Sequence, residues 1–221
     1  MTMESLTTER LLDLEHTIAA ALFDGISYPW EALPRIAAFA EALGARLDPA
    51  QFDRIAPGVY VHKRASVAPT ASIAGPCIID EGAEVRHCAY IRGSAIVGKG
   101  AVVGNSTELK NCVLFDGCQV PHYNYVGDSI LGHMAHMGAG SILSNVRADK
   151  ANIQIKPTGI ATGLRKFGAI VGDHGEIGCN AVLNPGTVIG RRAQVYPTSA
   201  VRGCVPEDGI HKQNGEIVLR K

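Results

Sequence analysis

The sequence has few aromatic residues, 5% of 221 positions, and no surplus of either charge, with 21 Lys plus Arg against 21 Asp plus Glu. Balanced charge argues against a chain held to nucleic acid through its phosphates, and against a polybasic membrane anchor. No apolar run approaches the ~20 residues needed to span a bilayer. The opening MTMESLTTER lacks the basic-then-apolar order of a secretory leader, so a cytoplasmic chain is expected. The six cysteines, Cys77, Cys88, Cys112, Cys118, Cys179 and Cys204, form no CxxC pair. They are expected to be reduced thiols serving as small core residues.

Glycine is plentiful, at 25 of 221 residues, against a usual share of ~7%. Few aromatics and many glycines imply a core of small and β-branched residues with frequent tight turns, the composition of a repeat. The repeat is six residues long. Val67, Ile73, Ile79, Val85, Ile91, Val97, Val103, Leu109 and Phe115 are all apolar, as are Val171, Ile177, Leu183, Ile189, Val195 and Val201. Small residues such as Ala71, Ala83, Ala89, Ala95 and Ala181 recur four places after these anchors.

Neither a helical period of 3.6 nor a strand period of 2 accounts for six. A short strand followed by a corner does, with one bulky side chain inward and a small one at the bend. Three such segments close a triangular coil of ~18 residues, and stacked coils pair strand over strand. The expected fold is all-β, a parallel β-helix with a short α-helical N-terminal extension. That extension covers residues 1–58, the solenoid residues 59–206 with a loop inserted at about residues 146–169, and a tail residues 207–221. Leu11, Leu14, Ile18 and Leu22 share one helical face after a cap at Thr7 or Thr8, and a second helix runs from Pro34 to Gly44. These helices are expected to cover the open N-terminal end of the solenoid. The tail is expected to form a short hairpin or strand.

The first apolar series fails at Pro121 and Gly127, and Leu131, Met137 and Leu143 resume it two residues out of phase. The chemistry-bearing residues gather there. ELK ends at Lys110, HYNYVGD runs from His122, and GAGSILSN ends at Asn145. Over residues 91–146 this composite resembles the acetyltransferase half of the bifunctional N-acetylglucosamine-1-phosphate uridylyltransferase/glucosamine-1-phosphate acetyltransferases. No uridylyltransferase half is expected within this sequence, since no Gly-rich nucleotide loop occurs and residues 1–58 are too few for such a domain.

The resemblance implies a left-handed coil, a homotrimer with sites between subunits, and acetyl transfer from acetyl-CoA to the amine of an amino-sugar phosphate. It further implies that Arg92 and Lys110 bind phosphate, a fork donor beside a point charge. His122 would be the base that frees the amine, a role suited to a pKa near 7. Tyr125 and Lys150 would contact the sugar phosphate, Asn145 the acetyl and sugar end, and the Ala139 backbone the thioester oxygen. The chain departs from the family at His136, Val146, Cys179 and Pro197, which stand for Asn, an aromatic residue, Ser and Ala. His136 would still face the sugar, and Cys179 and Pro197 the CoA side. Lost polar groups of this kind change which substrate is held.

Two other functions fit the same sequence. The altered positions suit a non-catalytic solenoid that binds a sugar phosphate or sugar nucleotide. His122, His133 and His136 lie within fifteen residues, and γ-class carbonic anhydrases carry three-His zinc sites on this solenoid. Their Arg-x-Asp pair is replaced here by RGS at Arg92, and no metal is expected to be needed for transfer.

Overall fold

The computed structural model describes residues 2–220, so Met1 and Lys221, the outer limits of the extension and the tail, lie outside the described residues. From Val59 the chain winds into a parallel β-solenoid with three strand-bearing faces. On the first face Val59, Cys77, Ala95, Cys112 and Ser129 stack in register. The second carries Ser66–Val67 through Gly209–His211, and the third Ser72–Ile73 through Ala200–Val201.

The inward side chains form one apolar column per face. Leu109, Val126, Leu143 and Leu183 are stacked and fully buried on the third. Corners are turned by single residues in the left-handed region, among them Ser106, Tyr123, Asn180 and Thr198, a conformation strained for most side chains but short enough to bend the coil.

The interrupted six-residue beat has a simple origin. The first-face steps Val59 to Cys77 and Cys77 to Ala95 span 18 residues, whereas Ala95 to Cys112 and Cys112 to Ser129 span 17. Two short coils move the phase by two residues. The inward residue after Val97 is therefore Leu114. Phe115, counted as an anchor from the sequence, faces outward and meets Phe23 edge-on, with ring centroids 5.8 Å apart.

The N-terminal region differs from the expectation in shape and in place. Only Thr8–Leu11 forms an α-helical turn in the first segment, followed by 3-10 turns at Leu14–His16, Ala20–Phe23 and Pro29–Arg35; the longer helix is Ile36–Gly44. The Thr7 side chain makes no capping bond. The reason lies in the solenoid: the Asp173 N–H donates to the Leu11 carbonyl at 3.1 Å, and the Asp173 carboxylate accepts from the Asp13 N–H at 2.8 Å. The backbone there bonds to the coil instead of to itself.

The segment lies along the first face and does not plug the end. Ile78, Ile96, Val113, Ile130, Ile170 and Val188 form an outward aliphatic stripe, and Leu6, Leu11, Leu12, Leu22, Trp30 and Ile36 bury it. Each such burial contributes roughly 1.5–3 kcal/mol, so the stripe dictates where the segment rests. The N-terminal strand edge is covered instead by Phe52–Ala56, antiparallel to Val59–His62. At the other end Gly209–His211 pairs antiparallel with Ile217–Leu219. Cys77, Cys112 and Cys118 are core residues, while Cys88 and Cys179 are exposed and Cys204 is half-buried, so only three of six thiols fill the expected role.

Candidate active site

Two neighbouring features of the coil gather the residues singled out from the sequence: the third face, and the corner that leads into it. On the third face Ile91 and Leu109 are in register, so Arg92 and Lys110, the next residue of each, take equivalent outward places on adjacent rungs. Rungs are ~4.8 Å apart, close enough for both cations to reach one phosphate. Each already has a carboxylate partner. The Arg92 Nη1 donates to Glu108 Oε1 at 2.8 Å, and Lys110 Nζ donates to Asp128 Oδ2 at 3.1 Å. The Glu108 carboxylate holds the Arg92 guanidinium above its ordinary pKa.

Asp128 is buried and organises this side. Besides Lys110 it accepts from Asn111 Nδ2 at 2.9 Å and from Asn145 Nδ2. Gly127, in register with Lys110, leaves the space that the Tyr125 hydroxyl fills; a Cβ there would lie 2.5 Å from that oxygen. Burial first, then the Asp128 and Glu108 carboxylates, push the Tyr125 hydroxyl up, so it stays a protonated donor at neutral pH.

The corner is a column of backbone bonds. The Asn105 carbonyl accepts from Tyr123 N–H at 2.9 Å, His122 from Gly140 at 3.0 Å, Ala139 from Asn180 at 2.9 Å, and Cys179 from Thr198 at 2.8 Å. His122, Ala139 and Cys179 therefore stand on successive rungs along one edge of the prism, and Pro197 precedes Thr198 on the next. His122 is exposed, at the end of the strand Gln119–His122. The N–H groups of Ala139 and Cys179 have no partner among the described residues. Such unpaired N–H groups are the type of donor that polarises a carbonyl oxygen.

Asn124, which the sequence reading passed over, locks this corner from within. It is 2% exposed. Its Oδ1 accepts the His122 N–H at 3.1 Å, and its Nδ2 donates to the Gly138 carbonyl at 2.8 Å and to Ser141 Oγ at 3.0 Å. Asp128 was passed over too. For Asp128, inside the strand Tyr125–Leu131, the available signal was a polar residue in an apolar-patterned strand, which needs buried partners; Asn124, at the corner between two strands, offered no such signal.

The remaining candidates lie elsewhere. His136 is on the second face, its Nδ1 2.9 Å from Glu176 Oε2, three residues before Ala139 on the same coil. Lys150 is on the inserted segment, beside Val146, Arg165 and Lys166. The three histidines do not converge: His133 stacks on His16 with ring centroids 3.8 Å apart, and its Nδ1 is 2.9 Å from the Asp116 carbonyl. Among the described residues no cluster of three His, Cys, Asp or Glu side chains forms a metal-binding group. Among the described residues no helix is long and apolar enough to cross a membrane.

Known proteins share this arrangement of sequence. A bifunctional sugar-1-phosphate nucleotidylyltransferase/acetyltransferase of Sulfurisphaera tokodaii is 31% identical over 163 residues, 65% of this chain and 41% of that protein. This chain is similar in sequence to the GlmU-type proteins. The bifunctional protein GlmU of Methanococcus maripaludis is 31% identical over 172 residues, 68% of this chain and 41% of its own. That of Paracoccus denitrificans is 31% identical over 163 residues, 74% of this chain and 33% of its own. This chain thus spans about two fifths or less of the length of these GlmU-type relatives. The family described as the GMPPB C-terminal domain matches residues 73–164. The acetyltransferase domain of PglB from Neisseria gonorrhoeae, solved with acetyl coenzyme A, superimposes with a TM-score of 0.34 at 16% identity, over 71% of this chain and 55% of that one.

Proposed function

We propose that the protein transfers acetyl from acetyl-CoA to the amine of an amino-sugar phosphate. The observation that carries this reading is the prism edge on which an exposed imidazole, His122, is followed by the free N–H groups of Ala139 and Cys179, one rung from the next. The sequence similarity to GlmU-type proteins, over about two thirds of this chain, supports it.

In this reading Arg92 and Lys110 hold the phosphate, with Glu108 and Asp128 keeping the two cations oriented in its absence. Tyr125 and Asn145 contact the sugar, and Lys150 and His136 border it. His122 takes a proton from the ammonium, so that the neutral amine attacks the thioester carbon. The developing oxyanion is met by backbone N–H donors near Ala139, with Asn145 at the same end. The C–S bond then breaks, His122 returns its proton to the departing thiolate, and the former amine nitrogen sheds its extra proton to solvent, giving the neutral N-acetyl product and free CoA. Cys179 and Pro197 border the thioester chain.

The site is open on one side in a single chain, and Tyr90, Tyr123 and Ile142 around it are 47%, 66% and 39% exposed. These apolar surfaces beside the site support closure by a second copy of the chain, in a cyclic homotrimer. A cytoplasmic location, where acetyl-CoA is made, completes the reading. Thiol release from acetyl-CoA, measured across a panel of amino-sugar phosphates with the product identified by mass, tests it. Acetylated product from one acceptor is expected. Tight sugar-phosphate binding with no thiol release would instead establish a binding solenoid.

A further inference from the structure

A second charged site lies above the first on the same face. Residues 146–168 hold five Lys or Arg and one acidic residue, Asp149, in a chain whose charges balance overall. The segment is docked on the solenoid. Ile153, Ile155 and Phe167 are buried in the outer apolar cluster, and Gln154–Ile155 pairs antiparallel with Ile160–Ala161. Gly186 admits it: φ is +81°, and a Cβ would lie 2.5 Å from Ile153 Cγ2. The Cys204 thiol donates to the Lys156 carbonyl at 3.0 Å.

Between this segment and the last rungs is a cleft of about 450 Å³, lined among others by Ser144, Arg147, Gln154, Lys156, Asn184 and Arg202, within the size range of small-molecule sites. Its one carboxylate, Asp149, is engaged by Arg147. Lys156 and Arg202 have no carboxylate partner among the described residues. No aromatic side chain lines the cleft, so it offers charge and hydrogen bonds but no platform for stacking a base.

Register connects it to the first site. Lys110, Gly127 and Ser144 hold equivalent places on successive rungs, and Asn184 and Arg202 continue the row. Ser144 is two rungs, ~10 Å, from Lys110.

We propose that this cleft binds the pyrophosphate ester of a nucleotide-bearing ligand, with the Arg202 guanidinium and the Lys156 ammonium as the principal contacts and Asn184, Gln154 and Ser144 as neutral donors. Two ligands of the reaction class carry that group, a nucleoside-diphosphate sugar and CoA. Anion capture here does not depend on acetyl transfer, so the test reads binding alone.

Inorganic pyrophosphate, a nucleoside diphosphate and CoA are titrated calorimetrically into the whole protein, the Lys156→Ala/Arg202→Ala variant and Arg86→Ala. Both altered side chains are exposed, and an unchanged melting temperature confirms folding; Arg202→Glu provides a second, charge-reversed variant. Binding of at least one ester is expected to weaken roughly tenfold or more in the double variant and to persist in Arg86→Ala, which alters an exposed cation paired with Glu84 away from both sites. Loss confined to the nucleoside diphosphate assigns the cleft to the acceptor, and loss confined to CoA assigns it to the donor. No binding to the wild type, binding of inorganic pyrophosphate alone, or undiminished ester binding in the double variant would each overturn the assignment.

Discussion

The Asn124 carboxamide accepts the His122 backbone N–H at 3.1 Å from a fully enclosed position. The same side chain donates to the Gly138 carbonyl, one residue before Ala139. One buried amide thus ties the backbone that carries the imidazole of one rung to the backbone just before the free N–H of the next. Such spacing is what acyl transfer needs, because misplacement by an ångström is costly.

Asn124→Leu keeps the volume and removes both links. It is expected to lower stability by about 1–3 kcal/mol, through unpaired backbone groups, and to lower kcat while leaving the acceptor KM near its original value. Urea melts and steady-state kinetics separate the two effects. A purely structural role would leave the kcat of the folded fraction unchanged.

Asp128 accepts from Lys110, Asn111 and Asn145. Asp128→Asn leaves a half-buried ammonium without its counter-charge, so a stability loss of about 1.5–3 kcal/mol is expected in urea melts. Lys110→Ala in turn should raise the KM for the sugar phosphate and leave kcat nearly intact, as for a group that binds ground and transition states alike.

Burial pushes the Cys77 thiol up from 9.0 to about 12, and burial raises Cys112 and Cys118 as well. The folded value lies above the unfolded one, so the stabilisation is intact below pH ~9 and is lost as pH rises through the folded value. The melting temperature is expected to fall between pH 9 and about 12, and Cys77→Ala to flatten that fall. A thiol-specific disulfide reagent should modify the exposed Cys88 and Cys179 first and the three buried thiols only on unfolding. Early reaction of Cys77, Cys112 or Cys118 would contradict their enclosure.

The solenoid was legible because each inward side chain must repeat at the coil period, and Leu109, Leu143 and Leu183 do. Two 17-residue coils hid the register at Leu114, and so Phe115 was assigned inward when it faces the N-terminal segment. The course of that segment was not legible, because an apolar spacing of Leu11, Leu14, Ile18 and Leu22 does not say that Asp173 will take the backbone bonds of a helix. Within the site, His122, Arg92 and Lys110 were readable as residues with chemistry of their own. Asn124 and Asp128 act by holding other groups, and their importance appears only once their partners surround them. Cys179 carried two expectations, a core thiol by its type and a residue of the CoA side by resemblance; it is exposed, so the first fails, and it stands on the edge that carries His122.

The most direct measurement is the rate of thiol release from acetyl-CoA, with a saturating amino-sugar phosphate, by the wild type and by His122→Ala. The account predicts a fall of roughly 10²–10⁴-fold in kcat with acceptor binding retained, because the phosphate contacts lie on the adjoining face. Near-normal turnover by folded His122→Ala would contradict it.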